Sequence, residues 1–464
     1  MGNVIDLVTL REFLFRRKYL SQVRHITLNP GGPGVVRLHM LPPATHLRRS
    51  VPYVVILNGH DVLPLNISWA ILLACLMDAL APYADREVPD EDLEGLADKA
   101  VAAARRVYPG VKPDRMRAEL DRMLQSFIAI ARGQEPPEEV QPISLGDYAP
   151  QMTAPHRMDL MVSAMEKEGR WNCNQKCLHC YAAGQPEAGV KELDTAGWKK
   201  VLDALRKAGV PQVTFTGGEP TMRADLAELV DAARWFVTRL NTNGRLLTPE
   251  LCQALYEASL DSVQITLYSA DETAHNTLVG APGFADTVAG IRNALAAGLS
   301  VSVNTPLCRL NADYAATLEF LHGLGVRYVT CSGLIPTGGA LTEGSRATRL
   351  SPEELEAILR QAVGYCAEKG MEIDFTSPGW LPPETLLGLG LTMAPTCGAC
   401  LSNMAVAPDG TVVPCQSWLS GDGLGNILAD DWKTIWNDPR CAAIRAESAK
   451  MEHICQLRGK EGDR

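Results

Sequence analysis

"RWNCNQKCLHCYAAG" (residues 170–184) sets three cysteines, Cys173, Cys177 and Cys180, within eight positions. Thiols crowded in this way belong either to a disulfide framework or to a metal centre. The chain has 13 cysteines, an odd number concentrated in two clusters, which favours metal ligation. Its opening "MGNVIDLVTLREFLFRRKYL" scatters charges through the apolar positions, unlike a secretory signal, so a reducing cytoplasmic setting is expected. Soft thiolates in C-x3-C-x2-C spacing select an iron–sulfur cluster or zinc. A zinc knuckle would take His179 or a distant cysteine as its fourth ligand. A four-iron cluster on three thiolates would instead leave one iron open for chemistry.

Working outward, the chain of 464 residues is long enough for two or three domains. It is 46% hydrophobic and 21% charged, as soluble globular proteins are. A net charge of -10 argues against a nucleic-acid partner or an anionic membrane surface. The most apolar run, "ISWAILLACLMDALA" (67–81), is too short for a bilayer and contains Asp78, so it is expected as a buried helix. Cys75, Cys252 and Cys366 fall on predicted helices, where a thiol packs as a small hydrophobe.

Two proline-rich passages, 133–151 and 376–396, divide the sequence. The expected layout is an N-terminal domain (1–135), a linker (136–154), a central domain (155–375) and a C-terminal module (376–464). In the central part an amphipathic helix, a glycine stop and a short β-rich run keep recurring. One example is Trp198, Val201, Leu202 and Leu205, then Gly209, then "QVTFT". Strands are predicted near 158–163, 212–216, 235–241, 262–268, 300–305 and 327–332. Alternating with helices, they make parallel βα units whose C-terminal strand ends carry the chemistry. The N-terminal part is different. "PYVVILNGHDVLPLN" (52–66) reads as two strands around an Asn-Gly turn, followed by helices at 67–82, 91–106 and 113–132.

The cysteine stretch follows the first of these strands. One βα unit later, "VTFTGGEPTM" (213–222) places Gly217, Gly218, Glu219 and Pro220 at a strand end. Glycines there let backbone approach a ligand, and a carboxylate can receive an ammonium group.

With the cysteines, Tyr181 beside the last of them, "GGEP" at 217–220, "NTNG" at 241–244 and "VQITLYS" at 263–269, the sequence resembles the radical S-adenosylmethionine (SAM) superfamily across roughly 155–335. The resemblance implies an α/β fold with a partial (βα)6 TIM-type barrel. It also implies a [4Fe-4S] cluster on Cys173, Cys177 and Cys180 whose open iron chelates SAM. The "GGEP" backbone and Glu219 would hold the SAM amino group, while Thr242, Asn243, Thr266, Ser269 and Asn304 would supply polar contacts. The charged stretch "MEKEGRWNCN" departs from the family, which continues an apolar strand there.

In "TCGACLSNMAVAPDGTVVPCQSW" (396–418), Cys397, Cys400 and Cys415 surround a predicted β-hairpin turning at Pro408–Gly410. The spacing C-x9-G-x4-C resembles the auxiliary-cluster modules SPASM and Twitch. It implies one auxiliary [4Fe-4S] cluster on Cys397, Cys400, Cys415 and Cys455, with Cys441 a weaker candidate. Arg458 stands where such modules place a further cysteine. A four-cysteine zinc site is the alternative.

Enzymes of this kind often modify ribosomally made peptides, taking electrons from a flavodoxin or ferredoxin. The first 135 residues resemble, in element order, a winged-helix-like domain that binds the leader of a precursor peptide as an added strand. A small-molecule radical SAM enzyme, as in molybdenum-cofactor or haem pathways, and a non-catalytic metal-binding protein are the alternatives. If Cys331 or Cys308 faces the barrel interior, it could donate a hydrogen atom to a substrate radical.

Overall fold

The computed structural model describes residues 6–29, 35–44, 51–59, 61–131, 134–136, 145–421, 423–451 and 453–459. The chain divides into two compact units. One comprises residues up to Ala154 with Arg206–Pro211 and Trp235–Val237, and the other comprises the rest.

The first unit begins with helix α1 (Leu7–Tyr19), whose N-cap Asp6 accepts hydrogen bonds from the Val8 and Thr9 amides. Strands β1 (Arg24–Leu28), β2 (Val36–Leu41), β3 (Tyr53–Leu57) and β4 (Asp61–Leu65) form an antiparallel sheet in chain order. Asn58 and Gly59, at φ 50° and 73°, make the β3–β4 turn the left-handed kind that hairpins favour. Helices α2 (Ile67–Leu80), α3 (Asp90–Ala104) and α4 (Pro113–Ala131) follow and bury Ala70, Leu73, Ala100, Leu120 and Met123 with Tyr53 and Val55 of the sheet. The unit therefore has α1, β1 and β2 beyond the hairpin and three helices expected. Glu12, Arg16, Arg37 and His39 are buried in these extra elements and break the apolar pattern that would have shown them. Of the linker expected at 136–154, residues 137–144 lie outside the described residues, and Leu145–Tyr148 and Ala149–Gln151 form short helical turns.

In the second unit the six predicted strands are present: β5 (Arg157–Ser163), β6 (Gln212–Gly217), β7 (Val237–Thr242), β8 (Ser262–Thr266), β9 (Val301–Pro306) and β10 (Tyr328–Ser332). They are neighbours in chain order in one sheet, parallel across β5–β6 and from β7 through β10. Helices lie between consecutive strands and bury Trp198, Leu205, Leu255, Ile291 and Leu318. This is the partial barrel. Two additions extend it. A further parallel strand, β11 (Glu372–Phe375), joins beyond β10. At the opposite edge the C-terminal hairpin, β12 (Asn403–Val406) and β13 (Val412–Val413), pairs with β5. The C-terminal module thus continues the barrel sheet. The charged departure after β5 is a small hairpin, Glu166–Lys167 against Arg170–Trp171, turning at Glu168 and Gly169.

Alternation along the strands gives the sheet two faces. Leu160, Val213, Phe215, Leu240, Val263, Ile265, Val303 and Val329 are buried on the helix-covered face. The opposite, concave face is polar. Gln264 of β8 donates to Thr330 of β10 at 3.2 Å, spanning β9, and Thr330 donates to Asn304 at 2.9 Å.

Candidate active site

The cysteine loop leaves β5 and is clamped from two sides by backbone. The Lys176 and Leu178 amides donate to the Val279 and Leu278 carbonyls at 2.9 Å each. On the other side Gly339 donates its amide to the Cys180 carbonyl at 2.8 Å, and Ser345 Oγ donates to the Leu178 carbonyl at 3.0 Å. His179 is held against the same segment, its Nε2 bonding Thr348 Oγ1 at 2.8 Å. Two glycines make this approach possible. A Cβ on Gly338 (φ 55°) would lie 2.4 Å from the Tyr181 carbonyl oxygen, and one on Gly280 (φ 61°) would lie 2.5 Å from that of Lys176. Neither glycine stands in a motif that the sequence alone identified. Only the packing of 278–280 and 337–348 on the loop reveals them.

Within this clamp the three thiols share one buried neighbourhood. Burial pushes Cys173 up to about 12, and it raises Cys177 and Cys180 as well, with the sulfurs of Cys180 and Cys173 adding to the rise at Cys177. Three such thiols shed their protons only for a strong cationic partner. Among the described residues no three His, Cys, Asp or Glu side chains lie close enough to hold a single metal ion. Three thiols in one loop fit a multi-iron cluster, whose thiolates attach to different irons. The Cys173 thiol points to the Gly218 carbonyl at 3.4 Å, which brings "GGEP" beside the thiols.

Gly217 (φ 135°) has no room for a side chain, since a Cβ would sit 2.2 Å from the Ser163 carbonyl oxygen. Glu219 is 1% exposed, and its carboxylate is largely engaged within the protein. Oε1 accepts from the Thr221 amide (3.0 Å), Thr221 Oγ1 (2.6 Å) and Thr242 Oγ1 (2.6 Å), and Oε2 accepts from the Asn243 amide (2.8 Å). Burial raises Glu219 above the ordinary carboxylate range, and these donors oppose the rise. Glu219 therefore ties the β6 end to the β7 end. Asn243 in turn donates to Asn174 of the cysteine loop at 2.7 Å, and Arg245 donates to the Asn174 carbonyl at 2.6 Å. Pro220 opens a short turn after Glu219. Thr266, at the end of β8, sits beside Asn304 of β9 on the concave face. Ser269 accepts the Asp271 amide at 3.0 Å, so it serves a turn. The Tyr181 hydroxyl bonds Thr216 on that concave face.

Of the two cysteines considered as hydrogen donors, Cys331 does not face the barrel interior. Thr330 points to the concave side, so its neighbour Cys331 points to the helices. There Cys331 is fully buried near Cys366 and Tyr314, and burial pushes its thiol up strongly. Val329, apolar and on the same face, was the signal in the sequence. Cys308 is also fully buried and caps the turn Arg309–Asn311, with its thiol bonded to Thr348.

The C-terminal cysteines gather at the hairpin. Cys415 is pushed up to about 12 by burial and by nearby Cys455 and Cys397. Cys400 adopts a left-handed backbone (φ 54°), and its amide bonds the Pro414 carbonyl at 3.1 Å. Its thiol donates to Cys441, which Arg445 also contacts at 3.5 Å; both bonds lower Cys441. The structure thus brings a fifth thiol, Cys441, to the four expected, and this sulfur-rich set fits an iron–sulfur cluster. Arg458 works as a brace: it stacks on Trp380 at 4.2 Å and donates to the Gly379 carbonyl at 2.6 Å, beside Cys455. Met161 of β5, Ala405 of β12, Val413 of β13 and Leu419 pack together with Cys173, Cys180 and Tyr181, so the C-terminal hairpin shares an apolar cluster with the first cysteine loop.

Comparison with known proteins agrees with this geometry. Residues 172–321 match the radical SAM superfamily, and residues 397–457 match SPASM, an iron–sulfur cluster-binding domain. An AdoMet-dependent heme synthase of Oleidesulfovibrio alaskensis is 32% identical over 209 residues, 44% of this chain and 53% of the relative; the chain thus spans about half of that protein's length. A PqqA peptide cyclase of Ruegeria pomeroyi is 30% identical over 280 residues, 59% of this chain and 71% of the relative. The crystal structure of Streptococcus suis SuiB bound to precursor peptide SuiA shares the fold, with a TM-score of 0.57 at 13% identity over 87% of this chain and 91% of that one. SAM, a SAM-binding [4Fe-4S] cluster and auxiliary iron–sulfur chemistry are the cofactors that these two domains imply. The chain belongs to the radical SAM superfamily and carries a C-terminal SPASM domain.

Proposed function

We propose that this chain cleaves SAM reductively and uses the resulting radical to modify a ribosomally made precursor peptide by crosslinking, thioether formation, epimerisation or a related C–H functionalisation. The observation that carries this reading is the PqqA peptide cyclase match, which spans 71% of that relative's length. The first unit adds support. Among the described residues its strand β4 has a single neighbour in the sheet, and such an edge can take up a leader peptide as a further strand.

Cys173, Cys177 and Cys180 would hold the SAM-binding cluster, and the Gly217–Pro220 backbone would hold the SAM amino group. When bound, the reduced cluster supplies the electron that splits SAM into methionine and a 5′-deoxyadenosyl radical. The chain's own contribution is geometry. Glu219 fixes the β6 and β7 ends against each other, and Asn243 and Arg245 fix the cysteine loop to that frame. Thr266 and Asn304 present polar groups at the strand ends. Cys397, Cys400, Cys415 and Cys455 would hold the auxiliary cluster, with Cys441 beside Cys400. A reduced flavodoxin or ferredoxin of the cytoplasm would deliver electrons.

A second reading, a small-molecule reaction, is favoured by the 32% identity to the heme synthase. The experiment is anaerobic reconstitution followed by turnover with SAM, dithionite and a peptide encoded by a neighbouring reading frame. A mass change on that peptide, dependent on SAM, supports the proposal. Cleavage of SAM with every neighbouring peptide left unmodified would defeat the peptide reading.

A further inference from the structure

We propose that the concave face of the barrel, near the N-terminal ends of β5 and β7, is a carboxylate-binding subsite that selects an acidic group of the substrate. The inference rests on the barrel being the reaction chamber and adds the substrate's chemistry to it.

Four polar side chains meet on this face. Arg157 and Asp159 of β5 form an ion pair at 3.0 Å, with Asp159 buried. Arg239 of β7 shares their neighbourhood and is repelled by Arg157. Its one hydrogen bond among the described residues runs from Nε to Ser262 Oγ at 3.5 Å, at the limit for such a bond. The inventory is thus two guanidiniums against one carboxylate, in a place where burial already disfavours the Arg239 cation. Beside them, Thr214 Oγ1 of β6, on a residue only 1% exposed, is buried without a hydrogen-bond partner among the described residues. Buried polar atoms in a native fold normally find partners. A guanidinium with most of its donors uncommitted and an unpaired hydroxyl, both on one polar face, are what a carboxylate needs.

Position separates this subsite from SAM. Arg239 precedes Thr242, at the strand end, by three residues, or roughly 10 Å at the rise of a β-strand. An acidic group seated there would leave the rest of its residue extended toward the thiols.

The test uses the reconstituted, SAM-loaded enzyme and two probes, N-acetylglutamate α-amide and its uncharged counterpart N-acetylglutamine amide, titrated by calorimetry. The acidic probe should bind at least about tenfold more tightly than the neutral one, as a charge-assisted fork to one guanidinium provides. Arg239→Gln, or Arg239→Met if the first variant does not fold, should abolish that preference while leaving the weak affinity for the neutral probe. A merely structural arginine would change both affinities alike. Equal binding of the two probes to the wild type, or a preference that survives in the folded variant, would overturn the assignment. Wild-type enzyme that cleaves SAM yet shows no preference fails this inference and not the preceding one.

Discussion

Replacing Glu219 by Gln tests whether the "GGEP" carboxylate is a structural tie. The side chain keeps its size, but only one of its two terminal atoms can still accept. If the oxygen stays with Thr221 and Thr242, the new NH2 group faces the Asn243 amide, donor against donor, where a 2.8 Å bond stood. Losing one buried charge-assisted bond costs about 1.5–3 kcal/mol, and the three remaining bonds weaken because the acceptor is neutral. Easier burial of the amide offsets part of this, so a net loss of roughly 2–4 kcal/mol is expected. Urea unfolding of the cluster-free protein, followed by tryptophan fluorescence, measures it directly. Calorimetric SAM titration of the reconstituted variant should show weakened binding as well, because Asn243 is no longer held. A variant as stable as wild type, with unaltered SAM affinity, would refute the reasoning.

Further expectations concern the clamp, the barrel wall and the buried histidines. Gly338→Ala should cost roughly 2–4 kcal/mol, from a left-handed backbone and a collision with the cysteine loop, and lower the iron bound on reconstitution. Gly323→Ala, where a Cβ meets nothing within 4 Å, should leave the iron content unchanged. Cys331→Ala should cost about 1–2 kcal/mol by urea unfolding, as a small buried deletion, without altering the deuterium that the product takes up in deuterated water. Burial lowers His156, His179 and His275 from 6.5 to about 4, so each folds neutral and gains a proton on unfolding. Their stabilisation is complete above pH 6.5 and is lost as pH falls toward about 4, so unfolding midpoints should drop across that window.

Strands β6, β9 and β10 were legible because each ends a repeated unit of amphipathic helix, glycine and apolar run, and the other three as short apolar runs in the same series. The cysteine loop and "GGEP" were legible because their residue types have few other uses at strand ends. What escaped was tertiary. Cys331 sits on a strand, but only its parity with Val329 tells which face it takes. Gly338 and Gly280 are ordinary glycines until the loop they accommodate is placed against them. Strands β1 and β2 hid behind buried Arg37 and His39, and the pairing of β12 with β5 joins positions some 240 residues apart, beyond any local pattern.

The central claim, a SAM-cleaving cluster on Cys173, Cys177 and Cys180, is tested most directly by 5′-deoxyadenosine formation. Anaerobically reconstituted wild-type protein, reduced with dithionite in the presence of SAM, should hold roughly eight iron atoms per chain and release 5′-deoxyadenosine. The triple variant with alanine at these three positions should keep only the iron of the C-terminal centre and release none. A colourless protein with tightly held zinc, or 5′-deoxyadenosine released equally by the triple variant, would contradict the account.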